Sequence, residues 1–224
     1  LGAEEHWAFM RDTHNTMATQ IAPLMAQALL AAESTRDLGE IIVDWNHADD
    51  ANLVAPTVFQ ATYREFARQT YCDEMGVELC DEMLGSWYFW QERLAQMVAA
   101  DVSAWFDDIR TPAIETRDDI FRRAALVARS ELEQSAGADP GQWQWGRPHT
   151  LTFFSPLVPG KAPANVLGAG THAKEGSGET INRATYKFGK PWDATSIASL
   201  RFVADLADPD KVMAVLVGGA SGRQ

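Results

Sequence analysis

The sequence predicts an α+β protein, with helices in the first two thirds and antiparallel strands in the last third. Before about residue 140, apolar residues recur at the spacing of amphipathic helices. After it, short alternating runs are punctuated by Gly, Pro, Asn and Asp, which is typical of strands joined by turns. Helices followed by strands favour α+β over alternating α/β folds. We therefore expect a helical region at 1–140 and an antiparallel β region at 141–224, both parts of one larger, truncated domain.

The expected helices have recognisable start and stop signals. Pro23 interrupts the first apolar stripe and predicts a kink or a break. Pro56 suits the first turn of the second helix. Thr116 and Asp119 form a variant of the capping box at the start of the last helix. The four helical segments are expected at 4–33, from Ala55-Pro56 to about 70, 87–100 and 116–135.

The expected strands follow residue 148. The last two are separated by Ala207-Asp208-Pro209-Asp210, which predicts a hairpin turn. The four strand segments are expected at 149–154, 179–188, 196–206 and 211–218.

Composition limits the classes of partner. The chain has 224 residues, of which 46% are hydrophobic, so a sizeable core is available. Its formal net charge of -12 argues against nucleic-acid and anionic-membrane partners, which need clustered Lys and Arg. No apolar run reaches the roughly 18 residues of a transmembrane helix. We expect no nucleic-acid or membrane partner.

A glycine-rich stretch at 168–188, "GAGTHAKEGSGETINRATYKF", invites two catalytic interpretations, and both fail. A phosphate-binding loop needs Gly-Lys-Ser/Thr before a helix, whereas Lys174 lies between Ala173 and Glu175 and a strand is expected next. A nucleophile elbow needs Gly-x-Ser-x-Gly, whereas Ser177 has glycines as immediate neighbours. The stretch is predicted to be a turn leading into a strand.

The cysteines and histidines do not form a metal-binding pattern. Cys72 and Cys80, eight residues apart around Gly76, are either a disulfide or two buried thiols, and their spacing matches no zinc site. The five histidines offer at most a pair on one helix face, His6 and His14. A metal-dependent hydrolase is the least favoured alternative, and we expect no metal or cofactor site in this chain.

Four stretches, in this order along the chain, resemble segments of one enzyme family. They span about residues 44–224 and resemble the penicillin acylase (penicillin amidase) family of N-terminal-nucleophile hydrolases: "DWNHADDANLVAPTVFQATYREF", "WQWGRPHTLTFFSPL", "GSGETINRATYKF" and "SLRFVADLADPDKVMAVLVGGASGRQ". The resemblance implies that the chain is part of an αββα-type hydrolase.

The resemblance also implies a mechanism. Family members are precursors that cleave themselves, and the new N-terminal residue of the large subunit, usually serine, becomes the nucleophile. Its α-amino group acts as the base, and backbone and Asn donors hold the oxyanion. By motif order, this chain follows the nucleophile, the oxyanion asparagine and the ligands of a structural calcium ion. We therefore expect the later part of the large (beta) subunit, inactive on its own.

The resemblance suggests three supporting catalytic candidates. Asp205 falls about where a late-strand carboxylate of some relatives supports a histidine near the nucleophile. Alternatively, Asp205 pairs with Arg201 or caps the following turn. His149 and Asn182 are candidates for positions behind the reacting groups, and His149 is alternatively a structural hydrogen-bonding residue.

The function implied is that of an amidohydrolase that cleaves N-acyl amides through an acyl-enzyme. Its substrates would be β-lactam antibiotic side-chain amides, N-acyl homoserine lactones or other N-acyl amines. Its partners would be the upstream part of the large subunit and the small alpha subunit, in a periplasmic or secreted protein, a location that favours the disulfide. The alternative is a non-catalytic ligand-binding or scaffold domain that folds alone, whereas an enzyme fragment would leave strand edges and apolar faces exposed.

Overall fold

The structure, a computed structural model, describes residues 2–86, 90–153 and 170–216. Its helices precede short antiparallel strands, which confirms the α+β class. The chain divides into two compact units. The strand unit comprises 1–15, 49–51 and 146–224, and the helical unit comprises 16–48 and 52–145.

The helical unit contains most of the helices. None of the helices described is both long and apolar enough to cross a lipid bilayer. The helices of this unit are α2 (Thr16–Leu30), α3 (Arg36–Val43), α4 (Ala55–Met75), α5 (Val77–Gly85), α6 (Gln91–Ala100) and α7 (Arg117–Ala136). Single 3₁₀ turns lie at Ala104–Phe106 and Pro140–Gln142.

The expected helix at 4–33 is interrupted, but not at Pro23. It divides into α1 (Ala3–Phe9), which belongs to the strand unit, and α2, which continues through Pro23. The break falls where the backbone of Thr13 accepts a hydrogen bond from Asp49 N instead of continuing a helix. Proline costs one helical hydrogen bond, and the buried face of α2, formed by Ile21 and neighbouring apolar residues, outweighs that cost.

α4 lies at the centre of the helical unit and packs against α7. Phe66 of α4 is fully buried and stacks on Phe121 of α7, with ring centroids 4.1 Å apart. The capping box is confirmed, because Thr116 Oγ1 accepts from Asp119 N and Thr116 N donates to the Asp119 carboxylate. Of the third expected helix, 91–100 is helical and 87–89 lies outside the described residues.

The two cysteines form a disulfide that joins α4 to α5. α4 extends beyond the expected end to Met75, and Gly76, with a φ of 76°, allows the chain to start a further helix at once. The bond between Cys72 and Cys80 therefore closes a short loop across a helix–helix junction.

Replacing both Cys72 and Cys80 with serine is expected to destabilise the helical unit by about 2 to 3 kcal/mol, because the bond restricts the unfolded chain. Thermal unfolding of the wild type and the double variant, each with and without reductant, measures this. Reductant should lower the unfolding temperature of the wild type and leave that of the variant unchanged. Equal unfolding temperatures for the two oxidised proteins would contradict the prediction.

The strands of the strand unit form three two-stranded antiparallel sheets within the described residues. The hairpin expected around Pro209 is confirmed, with Phe202 paired to Ala214. The first pair is β1 (Thr150–Phe153) and β2 (Gly170–Ala173), the second is β3 (Ala184–Thr185) and β4 (Ser196–Ile197), and the third is β5 (Leu200–Ala204) and β6 (Val212–Leu216). Of the expected strands, residues 154 and 217–218 lie outside the described residues.

The expected strand at 179–188 is wrong over most of its length. Ala184–Thr185 is the only strand within it, Lys187 forms an isolated antiparallel bridge with Lys190, and the residues before Ala184 form a turn. Thr180 Oγ1 accepts a hydrogen bond from Ser177 N at 3.0 Å, and Ala184 N donates to Ser177 O at 2.8 Å. These local hydrogen bonds occupy the groups that a strand would have presented to a neighbour.

Candidate functional site

A group of buried polar side chains lies in the strand unit. A polar group removed from water needs hydrogen-bond partners, so such a group of side chains must be specifically arranged. The members that are less than 10% exposed include Asn15, Asp49, His149, Ser177, Thr180 and Asn182.

Asp49 fastens the segment after α1 to the glycine-rich turn. Its Oδ2 accepts from Asn15 Nδ2 at 2.9 Å, and its backbone oxygen accepts from Gly176 N at 2.8 Å. Asn15 Nδ2 also lies 3.4 Å from Ser177 Oγ. The backbone of Asp49 therefore holds the turn directly, and its carboxylate acts on the turn through Asn15.

Ser177 is part of this turn and is not placed as a nucleophile. It is 1% exposed, and its Oγ accepts from Glu179 N at 3.3 Å. The glycine-rich stretch thus forms a turn, as the sequence predicts.

Gly176 allows the turn to close. Its φ is 83°, and an added Cβ would lie 2.0 Å from Asn182 O. Gly176→Ala is expected to destabilise the strand unit by about 2 to 3 kcal/mol, through backbone strain and the displacement of Asn182. Hydrogen exchange of peptides across 171–186 measures this loss.

A matched control for Gly176 is Gly170, in the same unit. Its φ is 79°, but no described residue lies within 4 Å of an added Cβ. Gly170→Ala should therefore cost only the backbone strain, about 1 kcal/mol. Equal losses of protection in the two variants would show that the close approach of residue 176 to Asn182 O does not affect the stability of the turn.

His149 immediately precedes β1 and is fully buried. Its Nδ1 donates to Trp192 O at 2.7 Å, and its ring meets Tyr186 edge-on with centroids 6.3 Å apart. Burial lowers the pKa of His149 to about 4, although the Trp192 carbonyl partly offsets this effect. The imidazole is therefore neutral near pH 7, with one ring nitrogen committed to orienting it.

Asn182 accepts hydrogen bonds from two cationic side chains. Its Oδ1 accepts from Lys174 Nζ at 3.0 Å and from Arg201 Nη2. Its backbone N–H donates to Asp12 O at 2.8 Å, which fixes the residue in the turn. Lys174 N donates to His149 O at 2.9 Å, so Lys174 connects two of the three candidates.

Asp205 stands apart from these two candidates. It is exposed at the end of β5, and its Oδ1 accepts from Ala207 N at 2.9 Å. The carboxylate thus caps the hairpin turn, one of the two alternatives that the sequence left open. In the part of the chain that the structure describes, Arg201 pairs with Asn182 rather than with Asp205. A catalytic supporting role for Asp205 stays a prediction.

The sequence did not identify four residues that hydrogen-bond with the buried polar group of the strand unit: Lys174, Arg201, Asn15 and Asp49. The residues around Lys174 were compared only with the Gly-Lys-Ser/Thr pattern of a phosphate-binding loop. The one usable signal was Arg201, a charged residue within the apolar run of β5. Asn15 and Asp49 are 34 residues apart and carry no local signal for their pairing.

The histidines lie on separate elements. His6 is on α1, His14 follows α1, His47 follows α3, His149 precedes β1 and His172 is on β2. Across the described ranges, no group of three or more His, Cys, Asp or Glu side chains is placed to hold a metal ion.

Comparison with known proteins places this chain in a family. The family model described as penicillin amidase matches residues 1–224. The chain belongs to the penicillin amidase family. This agrees with the resemblance of the four motif stretches.

Relatives of this penicillin amidase family member include acyl-homoserine lactone acylases named QuiP. That of Pseudomonas fluorescens Pf-5 is 28% identical over 221 residues, covering 90% of this chain and 26% of the relative. That of Pseudomonas aeruginosa PAO1 is 27% identical over 212 residues, covering 85% and 25%. That of Pseudomonas syringae pv. tomato DC3000 is 28% identical over 197 residues, covering 78% and 22%. The chain thus spans about a quarter of the length of these curated relatives.

Proposed function

We propose that the protein containing these residues is an amide hydrolase that removes the acyl group from N-acyl amines through an acyl-enzyme. The observation that carries this proposal is the family match over the whole chain. The relatives named acyl-homoserine lactone acylases support N-acyl homoserine lactones as the substrate class.

The proposed nucleophile is an N-terminal serine of the large subunit, outside these 224 residues. Its hydroxyl oxygen attacks the amide carbonyl carbon, and its own α-amino group takes the hydroxyl proton. The tetrahedral intermediate expels the amine, which receives that proton, and an acyl ester remains on serine. Water then attacks the ester, which releases the carboxylic acid and regenerates the hydroxyl group.

The residues of this chain have a supporting part in the proposal. The buried network around Asn182 and His149 would hold the strand unit rigid behind the reacting groups, and Asp205 is the candidate carboxylate partner of a histidine outside the chain. The small alpha subunit and the upstream large subunit, with a structural calcium ion, would complete the enzyme. The disulfide supports a periplasmic or secreted location, because such bonds persist in oxidising compartments.

The test is to incubate the full-length protein with N-octanoyl homoserine lactone and, separately, with a phenylacetyl β-lactam. Mass spectrometry should detect octanoic acid and free homoserine lactone, with slower release from the β-lactam. Replacement of the N-terminal serine with alanine should abolish both. Ring-opened N-octanoyl homoserine with its amide intact would instead indicate a lactonase, and no product would favour a binding or scaffold role.

A further inference from the structure

Lys174 and Arg201, which we call the cation pair, share a neutral acceptor. Both donate to Asn182 Oδ1, and their other hydrogen bonds go to backbone oxygens. Lys174 Nζ donates to Glu175 O at 2.6 Å, and Arg201 Nε donates to Met10 O at 3.2 Å. Among the described residues, neither cation forms an ion pair with a carboxylate.

This arrangement differs from that of the arginines in the helical unit. Arg110, Arg117 and Arg123 each lie within 4 Å of at least one carboxylate oxygen. Within the described ranges the cation pair has no such partner, although the chain carries a net charge of -12. Two like charges held on one amide oxygen repel each other, so an anion beside them would be stabilised.

The lowered pKa of Lys174 is consistent with the presence of a second positive charge beside it. Burial is the largest of the causes that lower the pKa of Lys174 to about 8, and the positive charge of Arg201 acts in the same direction. The nearby Glu175 carboxylate only partly offsets these effects. Both cations are half-buried rather than enclosed, so a ligand can reach them.

We propose that the cation pair binds a carboxylate. Asn182, which accepts hydrogen bonds from both cations, holds them close enough together for the two oxygens of one carboxylate to contact both. An ammonium has three N–H donors and a guanidinium has five, so donors remain beyond those used within the chain. A carboxylate that bridges two cations gains charge-assisted hydrogen bonds to both. The carboxylate is either an Asp or Glu side chain of the remaining polypeptide or a free carboxylic acid. The proposal does not depend on the amidase activity.

The test follows Lys174 directly in the full-length protein. Lysine side chains are labelled with ¹³C at Cε and observed by NMR, which leaves all three Nζ–H donors in place, with Lys174→Arg and Lys190→Arg variants assigning two signals. Lys190 is exposed and serves as the matched reference. Each signal is titrated with pH, and then with octanoate as the free acid.

A saturable shift of the Lys174 signal by octanoate, weakened about tenfold in Arg201→Gln, would show that the site takes a free acid. A Lys174 midpoint above that of Lys190, with no octanoate response, would show that a carboxylate of the polypeptide already occupies it. A midpoint at or below that of Lys190, together with no response to octanoate, would overturn the proposal.

Discussion

Phe66→Ala is expected to lower the free energy of opening the helical unit by about 3 to 5 kcal/mol. Phe66 is fully buried, stacks on Phe121 of α7 and lies 5.9 Å from the Phe106 ring centroid. Truncation removes the apolar contacts that join α4 to α7 and leaves a cavity between two long helices. Such a cavity collapses only in part, because both helices are fixed by other buried residues.

Hydrogen exchange of α4 and α7 peptides in the full-length protein measures this loss. Protection should fall by at least a hundredfold, the equivalent of about 3 kcal/mol. Leu126→Ala is the matched control on α7, because Leu126 is 42% exposed. A similar, small change in both variants would contradict the central position of the Phe66–Phe121 contact.

Acidification from pH 6.5 to pH 4 is expected to destabilise the strand unit by up to about 3 kcal/mol through His149 alone. The pKa of His149 is about 4 in the folded protein, below the 6.5 of an unperturbed histidine. Between these values the unfolded chain binds a proton that the folded chain does not, so stability falls as pH falls. Above pH 6.5 both states are neutral at this position, and the full contribution is present.

His149→Gln provides the control, because glutamine can donate to Trp192 O but does not titrate. Hydrogen exchange of β1 peptides, corrected for intrinsic rates, should show a steep pH dependence in the wild type and a shallow one in the variant. The same slope in both proteins would mean that His149 is not buried as a neutral imidazole.

Local sequence signals predicted the parts of the fold that local chemistry determines. The Thr116–Asp119 capping box and the hairpin turn around Pro209 both lie where expected, because the stabilising hydrogen bonds join neighbours in sequence. Pro23 does not break α2, because the burial of the opposite side of the helix outweighs one lost hydrogen bond, and a kink at Pro23 stays a prediction. Residues 179–183 of the turn were taken as part of a strand, because the side-chain hydrogen bonds of the turn are not visible in an apolar pattern.

The candidate site could be predicted only in part. His149 and Asn182 were suggested by the family resemblance and their supporting roles stay predictions, although the structure connects the two residues through Lys174. The sequence spacing of Lys174 and Arg201 does not indicate that they share an acceptor. They come together only when the turn that contains Asn182 folds onto β5. Hydrogen bonds between polar residues far apart in sequence depend on the tertiary structure, so no short sequence pattern predicts them.

The proposed acyl-enzyme can be observed directly. The full-length protein is mixed with N-octanoyl homoserine lactone, quenched in acid during turnover, and analysed by intact-mass and peptide mass spectrometry. We expect one octanoyl group on the N-terminal serine of the large subunit, absent from the serine-to-alanine variant. Turnover without any acylated serine, or acylation of a different residue, would contradict it.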